Sequence, residues 1–200
     1  MGQELEWKFI AENEALQEAI LAWEPVRRLA AADPVRYRME SVYYDTPDRA
    51  LEKQRIALRR RLENETSVIC VKTSRKEEGN LHLRGEWELE AESPEAALPE
   101  LVRMGAPEAL LKASPLVCVC RADFDRTALT LFFPDGSRSE LALDRGTLSG
   151  PTNRCPFCEV ELELKSGSPD ASEAFLQYLL AAFPLHAEPL SKFARAKALG

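Results

Sequence analysis

The sequence predicts an α+β fold built on a mainly antiparallel sheet of about eight strands. Apolar and polar residues alternate, with the period of a half-buried strand, in at least six short segments. Asp135-Gly136 separates two such runs and is a strong hairpin-turn dipeptide. Helical spacing of apolar residues occurs in fewer stretches, so strands should dominate the fold.

The predicted elements follow one another along the whole chain. Strands are expected at residues 4–10, 37–44, 57–62, 67–73, 86–92 and 116–123, in a hairpin over 126–144, and at 159–165. Helices are expected at residues 13–31 with a break at Pro25, and at 94–103, 106–112, 169–183 and 191–199. No Gly/Ser-rich or Pro-rich linker divides the chain, so we predict that residues 1–200 form a single domain.

Composition excludes several classes of protein. With 45% hydrophobic and 30% charged residues, the chain can bury a core, and its net charge of −7 disfavours a nucleic-acid binder. The acidic N-terminal residues lack the apolar segment of a signal peptide, and no apolar run of about 20 residues occurs, so we expect a cytoplasmic protein without a membrane partner, as a monomer or homodimer. Five cysteines, with Cys155 and Cys158 as a lone CxxC, favour reduced thiols over disulfides or a zinc site.

Each predicted strand has one ionic face and one apolar face. In the first strand Glu4, Glu6 and Lys8 share a face, and Leu5, Trp7 and Phe9 lie on the other. In a later strand, Arg59 and Arg61 share a face in the same way. An antiparallel sheet with its apolar face on helices and its ionic face in water is the simplest explanation of this pattern.

The charges are, however, segregated by sign, as Glu-x-Glu, Arg-x-Arg and twice as Glu-x-Glu-x-Glu. Like charges on one face repel unless opposite charges or a ligand compensate them. About eight strands also suffice to close a barrel. A closed eight-stranded antiparallel β-barrel, with ionic faces inward and helices packed outside, is thus the alternative to a sheet with its ionic face in water. The carboxylates of the barrel would hold Mg²⁺ or Mn²⁺ and its basic residues would bind phosphate.

Several segments resemble one family in the right order. They are Glu4-Leu5-Glu6-Trp7-Lys8, Tyr43-Tyr44-Asp45-Thr46-Pro47, Leu58-Arg59-Arg60-Arg61, Lys72-Thr73, Asp123-Phe124-Asp125-Arg126, Leu143-Asp144, Glu159-Val160-Glu161-Leu162-Glu163 and Ser191-Lys192-Phe193-Ala194-Arg195. Together they are similar to the motifs of CYTH domains, the triphosphate tunnel metalloenzymes. The resemblance covers essentially the whole chain, and it implies the closed eight-stranded antiparallel β-barrel with helices packed outside.

The resemblance implies a role for each matching residue. The implied metal ligands are Glu4, Glu6, Asp144, Glu159, Glu161 and Glu163, holding Mg²⁺ or Mn²⁺. The implied phosphate-binding residues are Lys8, Arg59, Arg61, Lys72, Arg126, Lys192 and Arg195. The implied catalytic set is Glu4, Glu6, Lys8, Arg59, Arg61, Lys72, Arg126 and Lys192, and Glu86, Glu88 and Glu90 would extend the acidic wall.

The resemblance is closest to bacterial inorganic triphosphatases, which implies metal-dependent hydrolysis of inorganic triphosphate to pyrophosphate and phosphate. Alternatives are a class IV adenylyl cyclase, a thiamine or nucleoside triphosphatase, and a non-catalytic polyphosphate or nucleotide-binding module. The chain departs from the family at Phe124, where many relatives carry Lys or Arg. This departure leaves the general base unassigned.

Overall fold

The computed structural model describes residues 5–74 and 84–200, which form one antiparallel sheet and six α-helices. The strands are β1 Leu5–Ile10, β2 Val35–Asp45, β3 Ile56–Glu63, β4 Thr66–Ser74, β5 Arg84–Glu90, β6 Val117–Phe132, β7 Arg138–Ser149, β8 Arg154–Ser166 and β9 His186–Ala187. The helices are α1 Glu14–Ala22, α2 Glu24–Leu29, α3 Ala50–Lys53, α4 Pro94–Arg103, α5 Asp170–Ala182 and α6 Lys192–Lys197, with a 3-10 helix at Glu108–Lys112. Within these described parts of the chain, no helix has both the length and the apolar character needed to span a bilayer.

The sheet is open, and the prediction of a closed eight-stranded barrel is wrong. Its nine strands run in the order β5-β4-β3-β2-β6-β7-β8-β1-β9, so β5 and β9 form its two edges. Closure would pair β1 with the opposite end of the sheet. Instead, β9 takes the free edge of β1, with Phe9 opposite Ala187 and Ile10 opposite His186. Sequence alternation could not reveal β9, because two residues are too few to show a period.

The predicted hairpin is confirmed, and its first arm is longer than expected. The strands predicted at 116–123 and at the start of the hairpin are one strand, β6, which pairs with β7 from Arg121 opposite Ser149 to Phe132 opposite Arg138. In the turn, the Asp135 carboxylate accepts hydrogen bonds from the backbone N–H and the hydroxyl of Ser137. Gly136 has a φ of 87°, a left-handed conformation that glycine adopts without strain.

Helices cover the apolar face of the sheet in two groups. Leu131, Leu141 and Leu162 of β6–β8 are buried together with Ile20 of α1 and Leu179 of α5. A second cluster lies under α4 and the 3-10 helix and contains Leu58, Ile69, Leu101 and Leu110. Burying each such side chain stabilises the fold by about 1.5–3 kcal/mol, so this face accounts for the apolar half of the alternation.

The opposite face carries the charged side chains, because residues directly opposite in register point to the same side of a sheet. Lys8 lies opposite Glu161, and Arg126 lies opposite Asp144. The same face continues through β2 to the other half of the sheet, where Tyr43 lies opposite Arg59. We call this side the charged face; it presents Glu6, Lys8, Arg59, Arg61, Lys72, Glu86, Glu88, Arg126, Asp144, Glu159, Glu161 and Glu163.

Helix α6 lies against the charged face, near β6 and β7. Its N-cap Ser191 accepts a hydrogen bond from the Ala194 backbone N–H at 3.1 Å. Phe193 stacks on Tyr43 with a centroid distance of 4.9 Å, and Lys197 forms an ion pair with Glu52. These contacts fix the helix backbone, and they direct the first side chain of the helix into the charged face.

The two faces of the sheet predict stability losses of different size for substitutions at two neighbouring residues of β6. Leu131 is fully buried and Phe132 is 44% exposed. Leu131→Ala should lower the free energy of unfolding by roughly 2–5 kcal/mol, because it leaves a cavity under the helices. Phe132→Ala should change it by less than about 1 kcal/mol. Urea denaturation of both variants checks this, and equal losses would contradict the assigned faces.

Candidate metal and anion site

Three buried carboxylates of β7 and β8 meet on the charged face. Asp144 and Glu159 lie opposite each other in register, and Glu161 follows two residues later on the same side of β8. Asp144 and Glu159 are fully buried and Glu161 is 8% exposed. One oxygen of each carboxylate lies within 4.8 Å of the others. We call these three residues the acidic triad.

Cations surround the acidic triad. The Lys192 ammonium lies 2.8 Å from Asp144, 2.5 Å from Glu159 and 2.7 Å from Glu161. Arg126 donates two parallel hydrogen bonds of 2.7 Å to Asp144 and a third of 2.6 Å to Glu161. Arg195 pairs with Glu159. Three carboxylates thus face the three cations Arg126, Lys192 and Arg195, and the cluster is close to neutral.

These contacts shift the pKa values of Glu161 and Lys192 towards their charged forms. Burial alone would raise the pKa of Glu161, yet the nearby charges of Lys192 and Arg126 outweigh it and lower the pKa to about 2. Burial would lower the pKa of Lys192, but Asp144 and Glu161 hold it above its ordinary value. Both side chains are therefore ionised at neutral pH.

Two aromatic rings complete the surroundings of the Lys192 ammonium. Its nitrogen lies 5.2 Å from the centroid of the Phe124 ring and 5.5 Å from that of Phe157. These are distances at which a cation is attracted to the face of a ring. Phe124, the position that departs from the family pattern, thus contacts the basic side chain of Lys192 from α6.

The outer carboxylates of β1 and β8 are paired with lysines. Lys8 lies 3.5 Å from Glu6 and 4.0 Å from Glu161, so it lies beside the acidic triad. Glu163 lies opposite Glu6 and pairs with Lys165 at 2.6 Å. The side chains of Glu6 and Glu163 remain 28% and 23% exposed, so water can reach both of them.

A second charged group occupies β3, β4 and β5. Arg61 lies 2.6 Å from Glu63 and 3.3 Å from Glu88, and Lys72 lies 3.0 Å from Glu86. The pKa of Arg59 is raised: burial opposes its charge, but a hydrogen bond and charge interaction with Tyr43 and the field of Glu88 favour it. This group is rich in arginine and offers the planar donors that phosphate oxygens accept.

Cys70, Glu86 and Glu88 also bring potential ligand atoms within 4.8 Å of one another. Cys70 donates a hydrogen bond to Glu86 at 3.3 Å, and burial raises the pKa of its thiol to about 12. A protonated thiol is a poor ligand, and Mg²⁺ and Mn²⁺ prefer oxygen donors. The acidic triad, which offers carboxylate oxygens alone, fits such an ion better.

The structure therefore divides the residues predicted for the site into two groups on one face. Lys8, Arg126, Asp144, Glu159, Glu161, Lys192 and Arg195 lie together, while Arg59, Arg61 and Lys72 lie with Glu86 and Glu88. Strand β2 lies between the two groups, so its neighbours β6 and β3 are about 10 Å apart. Glu6 and Glu163 lie beside the first group, Glu90 lies opposite Val68 on β4, and Glu4 falls outside the described residues.

Sequence reasoning missed residues that position the site. The buried Gln17 of α1 donates hydrogen bonds to the backbone carbonyls of Asp144 at 3.0 Å and Glu159 at 2.7 Å, from the apolar side of the sheet. Glu188 accepts a hydrogen bond from Arg195 at 3.4 Å. Gln17 could have been found as a polar residue at a buried position of a helix. Glu188 lies in no periodic pattern, so the sequence offered no signal for it.

The Asp-Thr-Pro segment has a local structural role. The Asp45 carboxylate accepts hydrogen bonds from the backbone N–H groups of Thr46, Leu51 and Glu52, at 2.7, 2.9 and 3.0 Å. It thereby orders the turn into α3, whose Glu52 anchors α6 through Lys197. Cys155 and Cys158, at opposite faces of β8, remain free thiols.

The low pKa of Glu161 predicts acid sensitivity. A carboxylate whose pKa is lower in the folded than in the unfolded protein stabilises the fold above the unfolded value, and this contribution disappears as the pH falls through the folded value. Stability should therefore decline as the pH falls from about 4.5 towards 2. Urea denaturation against pH should show a shallower decline for Glu161→Gln. Glu65→Gln, at an exposed turn, should keep the wild-type slope, and an unchanged slope in Glu161→Gln would contradict the assignment.

Comparison with known proteins identifies the family of the chain. The sequence profile of the CYTH domain matches residues 2–196. The chain is 32% identical over 160 residues to the inorganic triphosphatase of Haemophilus influenzae, a match that covers 80% of this chain and 45% of that protein's length. A Hippeastrum structure, described as an adenylyl cyclase candidate with dominant triphosphatase activity, has a TM-score of 0.61 at 18% identity and covers 96% of this chain and 94% of its own. A Pyrococcus horikoshii structure has a TM-score of 0.56 at 21% identity and covers 96% of both chains. This chain belongs to the CYTH domain family.

Proposed function

We propose that this protein hydrolyses inorganic triphosphate to pyrophosphate and phosphate, using Mg²⁺ or Mn²⁺ held on the charged face. The observation that carries this proposal is the meeting of a three-carboxylate cluster with arginine and lysine side chains on one face of the sheet. The 32% identical inorganic triphosphatase supports the choice of substrate.

The basic side chains would bind the phosphate groups. In the structure Arg126, Arg61 and Lys72 are paired with carboxylates at 2.6–3.3 Å. A polyanion offers the same bidentate geometry with more charge, so these cations would exchange a carboxylate for a phosphate oxygen. Cations on both sides of β2 would hold an extended anion across the sheet and orient it for an in-line displacement.

The acidic triad would hold the metal. Glu6 and Glu163 would be further ligands, and so would Glu4, by its resemblance to the family motif. Oxygen donors alone are what Mg²⁺ and Mn²⁺ prefer, so the residues present fit the ion. When bound, the ion would offset the charge that develops on the phosphate oxygens and lower the pKa of a coordinated water.

Phe124 cannot accept a proton, so proton transfer from the attacking water would fall to a carboxylate. Beside the buried acidic triad, Glu6 and Glu163 have side chains that are 28% and 23% exposed, so they could contact water directly. Their neighbours Lys8 and Lys165 would hold them in place.

The first experiment is an assay of phosphate release from inorganic triphosphate with Mg²⁺, with Mn²⁺ and with EDTA, with ATP and thiamine triphosphate in parallel. We expect turnover of triphosphate that EDTA abolishes, and slower reaction with the other two substrates. Cyclic AMP from ATP would instead indicate a cyclase, and preferred cleavage of thiamine triphosphate or ATP an organic triphosphatase. Saturable binding without turnover would indicate a binding module.

Substitutions on the charged face should lower turnover strongly. Arg126→Gln and Glu161→Gln should each reduce kcat by about 100-fold or more, because each removes a charge that would contact the metal–anion complex. Arg61→Gln should mainly raise KM, since it lies across β2 from the acidic triad. Arg103→Gln is the control, because the Arg103 side chain lies on α4, is 77% exposed and forms an ion pair with Glu100. Normal turnover in folded Arg126→Gln and Glu161→Gln would refute the site.

A further inference from the structure

The Lys192 ammonium lies where a metal ion on the acidic triad would lie. Its nitrogen is within 2.8 Å of an oxygen of each of Asp144, Glu159 and Glu161. A divalent ion bonds carboxylate oxygens at about 2 Å, and so it would require the same small space among these oxygens. The two cations cannot occupy the triad together.

Charge leads to the same conclusion. The three carboxylates are already matched by Arg126, Lys192 and Arg195. A divalent ion added to this cluster without any rearrangement would leave two uncompensated positive charges in a buried place, which is costly. A cation must leave, or an anion must enter with the ion.

Lys192 is the cation that must leave before an ion can bond all three carboxylates. Its ammonium contacts each of the three. Arg126 contacts two of them and Arg195 contacts one. Lys192 has a flexible four-carbon stem with a single charged nitrogen at its end. The α6 backbone can stay in place through Phe193 and Lys197 while the Lys192 side chain moves.

We propose that Lys192 is a tethered competitor of the metal: in the free protein its ammonium occupies the acidic triad, with Phe124 and Phe157 behind it, and it leaves when the metal binds. The freed ammonium then becomes available to a phosphate of the entering anion. Metal and polyanion would consequently bind cooperatively, and metal alone would bind weakly. This inference rests on the metal site of the proposed function.

The test measures how tightly Mn²⁺ binds to the intact protein in the absence of phosphate. Binding is monitored through the decrease of the electron paramagnetic resonance signal of free Mn²⁺. Lys192→Gln should bind Mn²⁺ at least tenfold more tightly than wild type, because the competitor is gone. Phe124→Leu keeps every charge but removes the ring that lies 5.2 Å from the Lys192 nitrogen and 5.8 Å from the Arg126 guanidinium. It should bind Mn²⁺ about two- to fivefold more tightly, because the Lys192 ammonium loses one of its two cation–π contacts.

Lys53→Gln is the matched control. It removes the same charge from α3, where the Lys53 side chain is 67% exposed and pairs with Asp48. It should change Mn²⁺ affinity by less than twofold. Thermal unfolding of each variant verifies that it is folded, which matters for Phe124 because that side chain is buried.

Equal tightening in Lys192→Gln and Lys53→Gln would overturn the inference, since general electrostatics would then explain it. Wild-type affinity in folded Lys192→Gln or Phe124→Leu would overturn it as well. If the wild type binds Mn²⁺ and no variant binds it more tightly, the proposed triphosphatase site stands and the competitor role fails. Absence of Mn²⁺ binding in every variant would refute the metal site itself.

Discussion

Three carboxylates buried side by side are stable only if opposite charge lies against them, and this requirement organises the site. Asp144, Glu159 and Glu161 would repel one another without the cations that β6 and α6 supply. Removal of one partner from such a cluster leaves an uncompensated buried charge. The cations that make the free protein stable are therefore also the groups that a polyanion can recruit.

The position of α6 follows from the same requirement. Its anchors at Phe193 and Lys197 place Lys192 and Arg195 in the charged face. A helix of six residues has little stability of its own, so its docking depends on these contacts. Gln17 supports the triad from the other side of the sheet, and thus both layers of the fold position the same carboxylates.

Sequence alone predicted the α+β class, the two faces of the strands and most residues of the charged face, because period-2 alternation fixes which residues share a side. It could not predict whether the sheet closes. Closure depends on which strand takes the free edge of β1, and β9 is too short to leave a pattern. Nor could it predict that Lys192 contacts all three triad carboxylates, because that contact joins residues more than 30 positions apart in helix and sheet. The role of Phe124 was missed for the same reason.

We propose that the charged face binds a metal and a polyphosphate together. A crystal structure with Mn²⁺ and a non-hydrolysable imidotriphosphate, with the metal located by anomalous scattering, tests this directly. We expect a manganese peak bonded to Asp144, Glu159 and Glu161, the anion against Arg126 and Arg61, and the Lys192 ammonium moved from the triad to a phosphate. A structure with the anion off this face, and Lys192 still among the three carboxylates, would contradict it.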